Sequence, residues 1–292
     1  MRLVTKALIL QKARPFLAAN SNPESAELVL FGWPFDGTCS FRAGTRFGPG
    51  AIREASEVLE SYCPVARRDL EDVRFADVGD LPVPPGDLQT SLDMAYRMAT
   101  AIRSAGQIPA VLGGEHTLSL PLIRAAHEAD PNLAVIHFDA HFDLRNQYLG
   151  VETCHATVLR RVSDFIQPSH ILHIGQRSGI KEEFDRSELL GNYCPASAKP
   201  EDICQWVGDR PIYVTVDLDV LDPSVLPGTG TPEPGGVSFA TLQGWLQGLS
   251  SCRWRGWDVV ELSPDYDRTQ VSSIVAAKVT RTMIFTSTSQ TA

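Results

Sequence analysis

No run in this sequence approaches the roughly 20 apolar residues of a membrane span. The six cysteines form no Cys-x-x-Cys pair, which removes zinc-knuckle and thioredoxin-like motifs. Basic residues are in the minority: 26 Lys and Arg stand against 35 Asp and Glu, a formal net charge of -9. That balance argues against non-specific nucleic-acid binding, which runs on basic patches. It suits a cationic small molecule, although enzymes with neutral substrates can be as acidic. No Gly-x-Gly-x-x-Gly or Walker pattern follows a predicted strand, which disfavours a sheet-based nucleotide-binding protein. The stretch Met1–Phe16 has a short apolar run flanked by lysines, with no small-residue cleavage site after it, so it does not read as a signal peptide. A cytoplasmic protein with reduced, mostly buried thiols is expected.

What is present is an ordinary globular composition, 43% hydrophobic and 21% charged, on 292 residues. That length accommodates one large domain over 1–292. Glu27–Gly32, Ile108–Leu112, Leu133–Phe138, Ile171–Ile174, Ile212–Val216 and Asp258–Leu262 are continuous apolar runs, the pattern of strands buried on both faces. Pro49–Tyr62, Asp87–Ala105, Ser119–Ala129 and Val237–Leu249 read as helices. Pro49 suits a first helical turn, and Ser238 an N-cap. The alternation predicts an α/β fold: three layers, α/β/α, with a mainly parallel central sheet. There is no internal repeat or linker; Pro82–Pro85 and Pro227–Gly236 are short rigid loops, and Ser287–Ala292 is expected to be loose.

Ligands of open α/β sheets sit beyond the carboxyl ends of the strands, so the residues following each strand carry the functional argument. Gly113-Gly114-Glu115-His116, Asp139-Ala140-His141-Phe142-Asp143 and Asp217-Leu218-Asp219 each follow a predicted strand. Residues two apart in extended backbone point to one side, so Asp139, His141 and Asp143 can converge, as can Asp217 and Asp219. Four crowded carboxylates would resist ionising unless cations sat among them. Two divalent ions match the four charges of Asp139, Asp143, Asp217 and Asp219. Mixed carboxylate and imidazole donors suit a borderline-hard ion such as Mn²⁺, and a pair of such ions can activate water for hydrolysis. A lone Asp-x-Asp after a strand is more often a loop cap. An Asp-x-His-x-Asp directly after a strand is a stronger signal, because a core does not bury such a set without partners.

These three blocks, with Phe138 before Asp139, Val216 before Asp217, and Asp222-Pro223 and Pro227–Pro232 after Asp219, resemble those of the ureohydrolases, the family of arginase, agmatinase and guanidinobutyrase. The resemblance runs from Phe31 to about Met283. It implies an arginase-like fold and two Mn²⁺ sites. One would take His116, Asp139, Asp143 and Asp217; the other Asp139, His141, Asp217 and Asp219, with Asp139 and Asp217 bridging. It further implies that Glu261 holds a substrate guanidinium and that His155 shuttles a proton near the leaving amine. A homotrimer or homohexamer is implied in the same way. Pro34–Thr38, Arg42–Gly44, Phe47–Arg53 and Asp143–Gly150 look like the agmatinase branch, whereas Cys154 and Gln176 depart from the usual pattern.

The expected activity is therefore hydrolysis of agmatine to putrescine and urea. The alternatives are another small guanidine such as 4-guanidinobutyrate, or a metal-binding paralogue without turnover. Among the other histidines, His127 reads as a surface helix residue, and His137, His170 and His173 as core or supporting groups. Asp222 reads as an orienting group rather than a ligand.

Overall fold

Leu28 and Leu30 belong to one core, with Ile52, Trp245 and Met283; Val29 and Phe31 belong to another, with Ala95, Met98 and Ile123. Such alternation is what a strand buried on both faces produces, since successive side chains leave on opposite sides. The computed structural model describes residues 10–289. The N-terminal part of the Met1–Phe16 run and the last three residues lie outside that range.

In chain order the strands are β1 (Leu28–Trp33), β2 (Tyr62–Cys63), β3 (Arg68–Asp69), β4 (Phe75–Asp80), β5 (Ile108–Gly113), β6 (Ala134–Phe138), β7 (Ile171–Ile174), β8 (Tyr193–Cys194), β9 (Pro211–Asp217) and β10 (Arg253–Val260). The helices are α1 (Gly48–Ser56), α2 (Leu88–Ser104), α3 (Ser119–Ala129), α4 (Val158–Val162), α5 (Lys181–Leu190), α6 (Pro200–Val207), α7 (Phe239–Gly248) and α8 (Val271–Ser287). Eight strands form one sheet in the order β4-β1-β5-β10-β9-β6-β7-β8. Every neighbouring pair in it is parallel, and β2 with β3 makes a separate antiparallel hairpin. Helices α2 and α3 pack together over one face, while α1, α7 and α8 cover the other. The expected three-layer parallel architecture is present.

The order matters for function. After β5 the chain skips two places to lay down β6, and β10 and β9 fill the gap later. The central strands β5, β10, β9 and β6 therefore end side by side where the winding reverses, the place where such sheets bind ligands.

Several expectations need correction. The first helix stops at Ser56, and Tyr62 lies in the β2–β3 hairpin. Asp87 caps α2 from outside, its carboxylate accepting the Thr90 N–H. Strand β4 and helices α5, α6 and α8 were not expected. Strand β4 is polar because Asp77 and Asp80 receive the buried Arg53 guanidinium. Of the stretch Ser287–Ala292, the described residues 287–289 are held rather than loose: Ser287 closes α8, Arg68 donates to the Thr288 hydroxyl, and the Ser289 N–H donates to Glu27; the rest lies outside the described residues. The six cysteines are free, but only Cys63 and Cys154 are buried; the other four are half-buried. Among the described residues no helix is long and apolar enough to cross a membrane.

Candidate metal centre and active site

Each block occupies the turn that follows its strand. β5 runs into a short turn of 3-10 helix at His116–Leu118, β9 into another at Leu218–Val220. The β6 block bends sharply, and Asp143 adopts a left-handed φ of 55°. Glu261, directly after β10, does the same at 68°. Left-handed backbone costs energy in a residue with a Cβ, and such strain concentrates at functional sites.

These turns bring His116, Asp139, His141, Asp143, Asp217 and Asp219 together. His116 Nδ1 lies 3.1 Å from Asp139 Oδ2, 3.2 Å from Asp143 Oδ2 and 3.3 Å from Asp217 Oδ2. His141 Nδ1 lies 3.4 Å from Asp139 Oδ1 and 3.1 Å from Asp219 Oδ2. Asp139 thus faces an imidazole with each of its oxygens. All but His141 are buried.

The electrostatics are those of a cation site. Burial pushes the Asp217 carboxyl well up, and Asp219 and Asp139 push it further. Burial opposes charge on His141, but Asp219 and Asp139 outweigh it and raise the imidazole to about 12. The carboxylates draw positive charge to their centre. His116 Nδ1, buried among three of them, makes no hydrogen bond. Its other nitrogen does: Nε2 lies 2.9 Å from the Thr215 hydroxyl, which donates to Asp258 at 2.6 Å. Tyr213 and Ser119 hydroxyls also donate to Asp258. This buried chain keeps the hydrogen on Nε2 and aims the Nδ1 lone pair at the carboxylates, as support behind a metal-binding imidazole does. A divalent ion held by oxygen and imidazole fits these residues.

His137 also reaches the cluster, its Nε2 2.8 Å from Asp139 Oδ2. Its Nδ1 faces His173 Nδ1 at 2.9 Å, so the pair orients Asp139 from behind. His170 is half-buried in a turn away from the cluster. His127, expected at the surface, is half-buried against Phe165. Asp222 accepts N–H groups of Ser224, Gly235 and Gly236, organising the loop beyond Leu221.

A cavity of about 200 Å³ opens over the cluster and has Glu261 and His155 in its wall. Glu261 accepts the His116 N–H at 2.7 Å. Burial and the neighbouring Glu115 push its carboxyl up to about 8. His155 is half-buried, with Nε2 3.2 Å from the Ser40 hydroxyl. Arg145, Tyr148, Ser178 and Glu183 line the cavity as well. Arg145 and Tyr148 fall in the Asp143–Gly150 stretch noted above, whereas Ser178 and Glu183, beyond β7, carried no sequence signal. Thr215 and Asp258 did carry one: each is a polar residue inside an apolar strand run.

The model of the arginase family matches residues 26–286. The chain belongs to the arginase family. It is 40% identical over 274 residues to the agmatinase of Bacillus subtilis (strain 168), which covers 92% of this chain and 94% of that one. It is 34% identical to the guanidinopropionase of Pseudomonas aeruginosa, over 92% of this chain and 88% of the other. Among solved structures, the agmatine ureohydrolase of Thermoplasma volcanium superposes with a TM-score of 0.85 at 32% identity, covering 96% of each chain. The arginase-family hydrolases act on guanidino groups, and the family's metal dependence agrees with the Asp and His cluster.

Proposed function

We propose that this arginase-family hydrolase cleaves agmatine to putrescine and urea with two manganese ions. The observation that carries the reading is convergence: three Asp and His blocks and Glu261 meet on one cavity, in a chain 40% identical to an agmatinase. His116, Asp139, Asp143 and Asp217 would hold one ion, and Asp139, His141, Asp217 and Asp219 the other. When bound, the pair supplies Lewis-acid activation of water for attack on the guanidinium carbon. The rest is done by side chains. Glu261 offers a carboxylate to the planar guanidinium, an arrangement suited to paired charge-assisted hydrogen bonds. The arriving cation favours the ionised form of that acid. His155 gives a proton to the departing amine nitrogen as the C–N bond breaks, leaving urea and a neutral amine.

A guanidino acid is the second reading. Arg145 lines the cavity, and a carboxylate tail would want a basic partner there. Glu183 lines it too, but both its oxygens already accept backbone N–H groups, of Leu144 and Ile180. A urea-release assay on manganese-loaded protein across agmatine, 4-guanidinobutyrate and 3-guanidinopropionate separates the two. Agmatine is expected to give the highest kcat/KM; a guanidino acid turning over faster would reverse the assignment, and no urea from any guanidine would point to a silent paralogue. We propose a single catalytic domain, a cytoplasmic location and a homotrimer or homohexamer; a monomer by light scattering would contradict the last.

A further inference from the structure

The cluster behind His155 contains a carboxylate that the chemistry above does not use. Glu115 is fully buried at the carboxyl end of β5. Its Oε2 accepts the Thr38 N–H at 2.7 Å, and its Oε1 accepts the hydroxyls of Thr38 and Thr117, each at 2.6 Å. A hydroxyl has one hydrogen, and Thr38 has two places to send it: Glu115, or His155 Nδ1 at 3.5 Å. The carboxylate wins on length, 2.6 Å against 3.5 Å. Turning the hydroxyl away would also leave a buried carboxylate short of a donor. The Thr38 oxygen can then only accept. His155 meets it with its backbone N–H at 3.3 Å and with Nδ1. The second ring nitrogen, Nε2, is left facing Ser40 and the cavity.

We propose that Glu115 acts through Thr38 to hold His155 in the tautomer with its hydrogen on Nδ1, which makes Nε2 the atom that passes the proton to the leaving amine. The inference rests on the reading of His155 as proton donor. The bookkeeping of atoms closes: the protonated ring gives its Nε2 hydrogen to the amine nitrogen, which keeps the C–N bonding pair, and the Nδ1 hydrogen stays on the ring, donated to the Thr38 oxygen. A carboxylate that fixes an imidazole tautomer is an established catalytic device; here a threonine hydroxyl stands between the two. Glu115 and Thr38 are positioning residues, and the Asp36 carboxylate, which accepts the Gly44 N–H at 2.8 Å, helps fold the loop that carries Thr38 and Ser40.

The test reads the tautomer directly. Protein labelled with ¹⁵N-histidine and loaded with diamagnetic Mg²⁺ is examined by long-range ¹H–¹⁵N correlation, with His155→Asn identifying the His155 signals. Wild type should show the Nδ1–H form. Thr38→Val should shift it towards Nε2–H and lower kcat about ten-fold or more, with KM and manganese content unchanged. Thr38→Ser, which keeps the hydroxyl, should restore both. An Nε2–H tautomer in wild type, or a Thr38→Val spectrum like that of wild type, overturns the proposal. If His155→Asn leaves kcat unchanged, the proton-donor reading fails, and the relay loses its function whichever tautomer is found.

Discussion

Asp139 faces His116 with one oxygen and His141 with the other, whereas Asp219 faces His141 alone. This asymmetry should appear in metal stoichiometry. Asp139→Asn and Asp217→Asn remove a charge shared by both proposed ions and should abolish urea release with loss of both. Asp219→Asn should cost mainly one, read by elemental analysis after dialysis against limiting manganese; equal and mild loss from all three would refute the bridging roles. The residues lining the cavity should fail differently. Glu261→Gln keeps shape without charge, so kcat/KM should fall about ten- to a hundred-fold, with KM raised as well as kcat lowered. His155→Asn should reduce kcat by roughly 10²–10⁴ and leave the metal in place. Stripping of manganese by that substitution would make His155 a ligand. His116, Asp139, His141, Asp143, Asp217 and Asp219 stood out in the sequence, because carboxylates and imidazoles after apolar strands have few other reasons to be there; Glu261 and His155 came only from the family resemblance. Thr38 and Glu115 were legible only as members of motifs. Their partners are 77 residues apart along the chain, and only folding shows that they meet.

The elements that carry the site are held by polar contacts that leave little periodic trace. Helix α8 is the clearest case. It is buried nearly all round and rich in Ser, Thr and β-branched residues, a composition of weak helix propensity. Its hydroxyls satisfy themselves inside the helix: Thr280, Thr282 and Thr286 each donate to the carbonyl four residues back. Burial then supplies what propensity does not. Asp267 pins its start by accepting the Ser272 N–H and hydroxyl at 2.7 Å, and Ser272 in turn accepts the Gly228 N–H of the loop beside Glu261. Burial opposes ionisation of Asp267, but hydrogen bonds from Thr269 and Ser272 outweigh it and bring the carboxyl down to about 2. The folded state then binds fewer protons than the unfolded state between about 4 and about 2. Asp267 accordingly contributes its full stability above about pH 4 and loses it as pH falls through about 2. Urea unfolding of Asp267→Asn should show a deficit near neutral pH that closes on the acid limb; a constant deficit would refute the account. A second element-scale prediction concerns β5. A Cβ on Gly114 would lie 1.9 Å from the Phe35 carbonyl oxygen, where the Pro34–Ser40 loop docks. Gly114→Ala should cost about 1–3 kcal/mol, as overpacking does. Since that loop carries Thr38 and Ser40, it should also lower urea release.

At the scale of the whole molecule, the sheet gathers repulsion at its centre and spreads the cost over the fold. The parallel architecture was legible because β5, β6, β7 and β9 are continuous apolar runs. The strand order was not, since nothing in the local pattern says that β9 and β10 return to the middle. That return sets Asp217, Asp219 and Glu261 beside the carboxylates that follow β6. Like charges pressed together in a buried place oppose folding unless a cation joins them. Binding of Mn²⁺ should therefore be coupled to stability and not to activity alone. A ligand that binds only the folded chain stabilises it by about 2.7 kcal/mol at a hundred times its Kd. Chelation should lower the Tm, and added Mn²⁺ should restore it in a concentration-dependent way, with little response to Na⁺ at matched ionic strength. In Asp217→Asn one repelling charge is gone, so the metal-free variant should melt no lower than metal-free wild type while gaining less from Mn²⁺. Differential scanning calorimetry across a manganese titration measures both quantities. If metal-free wild type melts well above this variant, the cluster is held by its own hydrogen bonds, and the case for cations as the neutralising charge fails.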